Sequence, residues 1–275
     1  MTTLSDALRH WQSRGLPRLE AQMLLLHVLG RATHDRAWLL AHDTDPLPAD
    51  VAARLQTLVE RRLAGEPMAY LTGEKAFHGL TLHVDARVLD PRDDTETLVD
   101  WALALLPAAA PRRVLDLGTG SGAIALAVAR QRPLAQVVGV DVSADALAVA
   151  AGNARRLNLA VELRQGHWWA PVAGERFDVI VSNPPYIAEG DPHLPALAHE
   201  PRGALVSGAD GLDDIRHLVA HAAAHLAPGG WLLLEHGWDQ AAAVRDLLDT
   251  AGFAQVQSRR DLAGTERCSG GQLGG

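Results

Sequence analysis

One ten-residue string restricts the folds open to this chain more than any other: Arg113-Val114-Leu115-Asp116-Leu117-Gly118-Thr119-Gly120-Ser121-Gly122, followed at once by the helical pattern AIALAVAR. A buried strand runs into a glycine turn that opens a helix, so backbone N–H groups and a helix N-terminus face a ligand at close approach. A nucleotide-like cofactor suits such a turn. The next apolar strand, VVGV, ends at Asp141, where a carboxylate can accept both hydroxyls of a ribose; the spacing of about 20 residues is also what a dinucleotide fold uses. Gly118, Gly120 and Ala123 even satisfy the looser G-x-G-x-x-A form for NAD. The turn alone therefore leaves the cofactor open.

A second string, DVIVSNPPYI at 178–187, reads as a strand that delivers Asn183-Pro184-Pro185-Tyr186 at its C-terminal end, where open α/β sheets place their chemistry. Asn183 offers a side-chain carbonyl. Pro184 and Pro185 have no N–H, so the turn presents acceptors without competing donors. Tyr186 adds a flat face for a planar, conjugated group. Together they describe a holder for a planar sp2 amine, an amide or a nucleobase. That amine site, and the acid Asp116 ahead of the glycines, move the cofactor choice from NAD toward S-adenosylmethionine.

The rest of the chain follows two periodicities. From 4 to 64 the apolar positions keep helical spacing: Leu4, Leu8 and Trp11, then Leu24, Leu25, Val28 and Leu29, then Val51, Leu55, Leu58, Val59 and Leu63. Pro17 and Pro48 stand where helices begin. Between about 74 and 92 the period shortens, with Leu80, Leu82 and Val84 alternating and Arg87-Val88-Leu89 following, which predicts a linking hairpin. After a helix near 95–106, strand patterns at 113–117, 136–141, 160–165, 177–182 and 229–235 alternate with helical or turn-rich segments. That alternation predicts a mainly parallel sheet with helices on both faces. The expected domains are a helical bundle over 1–73, a β-hairpin linker over 74–92 and a cofactor-binding catalytic domain over 93–275.

Composition narrows the function classes. At 275 residues and 48% apolar, the chain can bury a large core. Its one cysteine, Cys268, rules out an internal disulfide framework. The opening MTTLSDALRH lacks the basic and apolar regions of a leader, and no apolar run is long enough to span a bilayer, so the expectation is a soluble cytoplasmic protein. A net charge of −8 argues against a broad grip on phosphate backbones.

With both motifs in hand, the chain resembles the HemK/PrmC family of protein-(glutamine amino) methyltransferases that modify peptide chain release factors. The strings that carry the resemblance are GEPMAYLTGEKAFHGLTLHV at 65–84, RVLDLGTGSGAIALA at 113–127, SNPPYI at 182–187, EPRGAL at 200–205 and LLLEHGW at 232–238. The resemblance implies a Rossmann-like S-adenosylmethionine-dependent methyltransferase fold with a small N-terminal helical bundle, and antiparallel edge strands from FAQVQSRRD and ERCSG. It implies S-adenosyl-L-methionine as the cofactor, held by Gly118, Thr119, Gly120, Ser121, Gly122, Asp141, Asn183 and the Trp168 ring. It also implies a glutamine amide held by Asn183, Pro184, Pro185 and Tyr186, with Asn183, Pro184 and Tyr186 taking part in catalysis. Release factors are then the expected partners, with no metal, membrane or direct nucleic-acid partner. The rival readings are a glutamine methyltransferase of a large-subunit ribosomal protein, a nucleic-acid amino methyltransferase, a silent cofactor-binding adaptor and, last, an NAD oxidoreductase.

Three positions depart from the family pattern. Where most members carry I-P-R-P-x-T-E, this chain has Asp90-Pro91-Arg92-Asp93-Asp94-Thr95-Glu96, and the two added acids are expected to weaken packing beside the cofactor. His167 replaces the acid that usually precedes the tryptophan. The closing R-V-x-x-G-R becomes Arg267-Cys268-Ser269-Gly270-Gly271-Gln272, which blurs the last strand, and its GGQ is read as a disordered end with no role. His217, His221 and His225 recur every fourth residue but lack the partners of a metal site, and read as a solvated helix face.

Overall fold

The structure is a computed structural model that describes residues 2–274, and the chain divides into two compact units between Glu74 and Lys75. The first unit is helical: α1 (Leu4–Ser13), α2 (Arg18–Val28), α3 (Arg36–Ala41), α4 (Ala49–Leu63) and α5 (Met68–Thr72). Pro17, Pro48 and Pro67 stand directly before α2, α4 and α5, where a missing N–H costs nothing and the ring presets φ. At α1 the Thr3 hydroxyl accepts the Asp6 N–H and the Asp6 carboxylate accepts the Thr3 N–H, a reciprocal cap that satisfies two otherwise free donors. Leu24, Leu25 and Leu26 of α2 are all fully buried, in a core shared with Leu4, Leu55, Val59 and Leu71. Leu63, expected on the apolar stripe, is exposed instead.

A two-stranded hairpin follows, β1 (Glu74–Phe77) and β2 (Leu80–His83), all of it but Glu74 in the second unit. Its two-residue turn, His78-Gly79, has φ of +46° and +74°, the left-handed pair that matches strand twist. The hairpin is shorter than the sequence pattern predicts. After His83 the Asp85 carboxylate accepts the Arg87 N–H at 3.0 Å and bends the chain out of the ladder, so Arg87-Val88-Leu89 forms no strand.

There follow a 3₁₀ turn, Asp93–Thr95, and then α6 (Glu96–Leu105), β3 (Arg113–Leu117), α7 (Ala123–Gln131), β4 (Gln136–Asp141), α8 (Ala144–Leu157), β5 (Glu162–Gln165), β6 (Phe177–Ser182), α9 (Asp213–His225), β7 (Leu226–Glu235), α10 (Ala241–Thr250), β8 (Phe253–Arg260) and β9 (Glu266–Leu273). The seven-stranded sheet has the order β5-β4-β3-β6-β7-β9-β8. Strands β3 to β7 run parallel, while β9 is antiparallel to both β7 and β8. The order reverses next to β3, between β4 and β6, so the crevice at the carboxyl ends of β3, β4 and β6 is where this architecture binds ligands. The sheet core is continuous through Leu115, Leu117, Phe177, Ile180, Leu232 and Leu234.

The closing stretch differs from expectation. Gly270, Gly271 and Gln272 are not a disordered end; they belong to β9, and β9 is an interior strand, with β8 at the edge. A Cβ on Gly270 would lie 2.6 Å from the Leu232 carbonyl oxygen, and one on Gly271 would lie 2.8 Å from the Phe253 Cβ. The glycine pair is what lets β9 fit between its neighbours. Gln272 donates to the Gly229 carbonyl at 2.8 Å.

One buried side chain ties hairpin, helix and glycine turn together. Asn153 on α8 is fully buried; its Oδ1 accepts the His83 N–H at 2.7 Å, and its Nδ2 donates to the carbonyls of His83 at 2.9 Å and Ser121 at 3.0 Å. Asn153→Ala leaves these groups without their partner and opens a small void, so it is expected to cost about 2–4 kcal/mol. A denaturant midpoint unchanged from wild type would contradict that.

Candidate active site

The glycine turn is held by carboxylates on both sides. Gly118, Gly120 and Gly122 have φ of +74°, +54° and +82°, a region that L side chains enter only with strain. Beneath the turn, Asp116 is fully buried and its Oδ2 accepts the Thr119 hydroxyl at 2.6 Å and the Ala125 N–H at 3.2 Å. Its Oδ1 has no hydrogen-bond partner, and burial pushes its pKa up to about 7. From β4, Asp141 accepts the Gly120 N–H at 2.8 Å through Oδ2 and the Ser143 N–H at 2.9 Å through Oδ1. Asp141 thus sets the shape of the turn as well as facing its ligand side.

The turn borders a cavity of about 290 Å³. Gly118, Thr119, Gly120, Ser121, Asp141, Trp168, Asn183 and Pro185 line it, together with Arg87, Val88, Leu89, Pro91, Thr95, His167 and Asp214. The segment after the hairpin, which forms no strand, is therefore a wall of this cavity. Pro184 is buried, and neither it nor Tyr186 is among the lining residues. A Cβ on Gly118 would lie 3.5 Å from the Trp168 ring and 3.9 Å from the Asn183 carbonyl oxygen. Glycine turn, indole and the Asn-Pro-Pro-Tyr turn meet at that one point.

The two tryptophans have different fates. Trp168, itself at φ +44°, donates through its indole N–H to Asp214 at 3.2 Å. Trp169 is buried and stacks on His225 with ring centroids 4.7 Å apart. His225 is buried too, which corrects the reading of the three histidines as one solvated face. Successive fourth positions on a helix rotate by about 40°, and the third of them is carried into the core. His167 stands beside Trp168 and His217, with centroid distances of 5.8 and 5.9 Å. Among the described residues no group of three or more His, Cys, Asp or Glu is placed to hold a metal ion.

The Asn-Pro-Pro-Tyr turn is braced from two other elements. Asn183 Nδ2 donates to the Thr95 hydroxyl at 3.3 Å, and the Tyr186 hydroxyl donates to Glu235 at the end of β7 at 3.5 Å. The Gln240 side chain donates to the Tyr186 carbonyl at 3.1 Å. Sequence reasoning assigned no role to Thr95, Glu235 or Gln240, although the strings at 90–96 and 232–238 that carry the first two were visible. Of the added acids, the exposed Asp93 lies 3.2 Å from Lys75, while the buried Asp90 has one oxygen 3.6 Å from Arg92 and the other without a hydrogen-bond partner, and burial raises its pKa. Arg92 in turn donates to Glu200 at 2.5 Å, joining the segment at 90–96 to EPRGAL.

Glu235 resembles Asp116 in being fully buried, and burial pushes it up to about 7 against the opposing effect of a hydrogen bond from Thr95. Both carboxyls stay protonated in the folded protein at pH values where the unfolded chain, with values of 3.8 and 4.5, has already lost those protons. Stability contributed by these two groups is therefore present below about pH 4 and is lost as pH rises toward 7. Asp85 and Asp210 are held down to about 2, chiefly by hydrogen bonds from Arg87 and Arg216, and act in the opposite sense at lower pH. The thermal midpoint of the ligand-free protein is expected to fall between pH 4.5 and 7, and Asp116→Asn is expected to reduce that slope. An equal slope in the variant would contradict the assignment.

Comparison with known proteins decides the family. Residues 95–201 match the methyltransferase small domain model, and residues 4–73 match the PrmC N-terminal domain model. A Bordetella pertussis protein named release factor glutamine methyltransferase is 54% identical, over 99% of this chain and 100% of its own length. The chain belongs to the release factor glutamine methyltransferase family. Proteins of the same name from Xylella fastidiosa and Salmonella typhimurium are 53% and 44% identical, over 94% and 98% of this chain and 94% and 97% of their own. Among solved structures, a methyltransferase from Pyrococcus furiosus superposes with a TM-score of 0.55 at 21% identity, over 82% of this chain and 100% of its own. A Thermus thermophilus 16S rRNA methyltransferase in complex with AdoMet and guanosine also reaches 0.55, at 24% identity, over 72% of this chain and 49% of its own. These two likenesses speak to the fold: a mostly parallel seven-stranded methyltransferase sheet with helices around it. Among the described residues no helix is long and apolar enough to cross a membrane.

Proposed function

We propose that this chain transfers a methyl group from S-adenosylmethionine to the side-chain amide nitrogen of the glutamine in the GGQ motif of peptide chain release factors, acting in the cytoplasm. The observation that carries the proposal is the meeting of the glycine turn, Trp168 and Asn183 within 4 Å around one cavity. The relatives' shared name supplies the substrate class.

The cavity suits a nucleoside-bearing cofactor. A glycine turn at positive φ admits close approach, Asp141 keeps lone pairs for ribose hydroxyls beyond those given to the Gly120 and Ser143 N–H groups, and Trp168 offers a ring face. Thr119 and Ser121 complete the cradle; Gly122, assigned to it from the sequence, is not among the lining residues and faces Leu126 and Ala150 instead. When bound, S-adenosylmethionine supplies a methyl group on a positively charged sulfur. The protein's own task is holding the acceptor. An amide nitrogen is a weak nucleophile because its lone pair is delocalised into the carbonyl, and a positioned acceptor pair compensates for that weakness. In this reading the Asn183 side-chain oxygen and the Pro184 carbonyl accept the two amide N–H bonds, fix the nitrogen and stabilise the charge that grows on it. Tyr186 sets the amide plane and Pro185 closes the wall. No deprotonation before transfer is needed: the carbon–sulfur bond breaks as the carbon–nitrogen bond forms, and the nitrogen then releases one of its two protons to solvent. Residues 1–73 serve as the docking surface for a folded substrate, supplying remote binding energy that a short peptide lacks.

The test is to offer labelled S-adenosylmethionine with purified release factor, a large-subunit ribosomal protein and DNA together. Label is expected in the release factor. Label in the ribosomal protein or the DNA, with the release factor untouched, would transfer the assignment to that acceptor.

A further inference from the structure

Asn183 can serve an amide substrate only if its own amide points the right way: oxygen toward the substrate, nitrogen away. A carboxamide is nearly symmetric in shape, so shape alone does not choose between its two orientations, and hydrogen bonding must. In the structure the choice is made by Thr95. Its hydroxyl oxygen lies 3.3 Å from Asn183 Nδ2 and accepts from it. Thr95 is itself buried and closes the 3₁₀ turn before α6.

A hydroxyl accepts from Asn183 reliably only if its single proton is committed elsewhere; otherwise it can rotate, donate to Oδ1 and stabilise the reversed amide. Glu235 supplies the destination when it is ionised, above its raised pKa of about 7; below that, its own O–H can donate to Thr95 instead. It is 1% exposed, its Oε1 takes the Tyr186 hydroxyl at 3.5 Å, and its Oε2 is buried with no hydrogen-bond partner. Thr95 faces this carboxyl closely enough to oppose the burial that raises its pKa, and the unfilled Oε2 is the acceptor left for the Thr95 proton. The linked groups run from Asn183 through Thr95 and Glu235 to Tyr186, joining both ends of the Asn-Pro-Pro-Tyr turn through two elements distant in sequence.

We propose that Thr95 and Glu235 are positioning residues: Glu235 draws the Thr95 proton, Thr95 thereby accepts from Asn183 Nδ2, and the Asn183 carbonyl is locked toward the acceptor amide. This rests on the proposed amide-holding role of Asn183 and extends it to Thr95, in the cavity wall, and to Glu235, which is not among the lining residues. Thr95→Val keeps the shape and removes the hydroxyl, Thr95→Ser keeps the hydroxyl, and Glu235→Gln keeps the shape but lets a side-chain NH2 face Thr95.

The experiment has two readouts, both taken at a pH above the Glu235 pKa of about 7. In steady-state methylation of the release factor, Thr95→Val and Glu235→Gln are expected to lower kcat by on the order of 10- to 100-fold, with calorimetric S-adenosylmethionine affinity and KM for the factor within a few-fold, while Thr95→Ser recovers most of the turnover. In the free full-length protein, the Asn183 side-chain NH2 resonance, assigned by its loss in Asn183→Ala, is expected to shift in Thr95→Val and Glu235→Gln and to return in Thr95→Ser. If Thr95→Val leaves kcat and the resonance unchanged, or if serine fails to recover what valine loses, the positioning role is overturned. The resonance readout needs no substrate, so failure of wild-type protein to methylate the release factor would sink the substrate assignment and still leave this inference decided.

Discussion

Asn183→Ala is expected to cut turnover by a factor on the order of 100 or more while S-adenosylmethionine affinity stays within a few-fold of wild type. The physical reason is the division of labour at the end of β6. Asn183 borders the cavity, but the fixed polar contacts of the glycine turn are made by Asp116 and Asp141. Removing the Asn183 side chain therefore leaves the cradle intact and deletes an acceptor needed most as the amide nitrogen gains charge. An interaction made chiefly in the transition state shows up in kcat, not in cofactor binding. Normal turnover by Asn183→Ala at saturating release factor and cofactor would mean that the amide is held by something else.

Asp141→Ala should produce the opposite pattern. The side chain accepts the Gly120 and Ser143 N–H groups at 2.8 and 2.9 Å, so its loss loosens the turn and removes the ribose acceptor in one step. Hydrogen bonds to a charged group contribute about 1.5–3 kcal/mol each, and the expected rise in the S-adenosylmethionine dissociation constant is on the order of 10- to 100-fold. Turnover at saturating cofactor should stay within a few-fold, because Asn183 and its braces are untouched. Asp141→Asn retains an acceptor oxygen and should fall between the two. Titration calorimetry on the variants distinguishes these outcomes, and an affinity equal to wild type in Asp141→Ala would remove Asp141 from the cofactor site.

How much of this was readable beforehand depended on whether the information was local. The βα unit at 113–131 was legible because a strand period, three glycines that all take positive φ and a helix period follow one another without interruption. Asn183 and Pro185 were legible for the same reason, since a strand delivers them directly to the sheet's carboxyl edge. Thr95 and Glu235 were not. Their meaning lies in β6 and β7 being neighbours and in a 3₁₀ turn approaching from a third element, a juxtaposition that no spacing along the chain encodes. His225 was misread because a fourfold spacing drifts around the helix, and Trp169 was waiting where the drift led. The closing glycines looked like a loose end because their reason for being glycine is the closeness of Leu232 and Phe253 across the sheet.

The chemistry stands or falls on which atom receives the methyl group. Intact release factor incubated with this protein and S-adenosylmethionine, digested and read by tandem mass spectrometry, is expected to carry one added methyl on the side-chain nitrogen of the glutamine in its GGQ loop, lost with Asn183→Ala. A methyl group on a carboxylate oxygen or on a different residue of the factor would contradict the amide-holding site at Asn183.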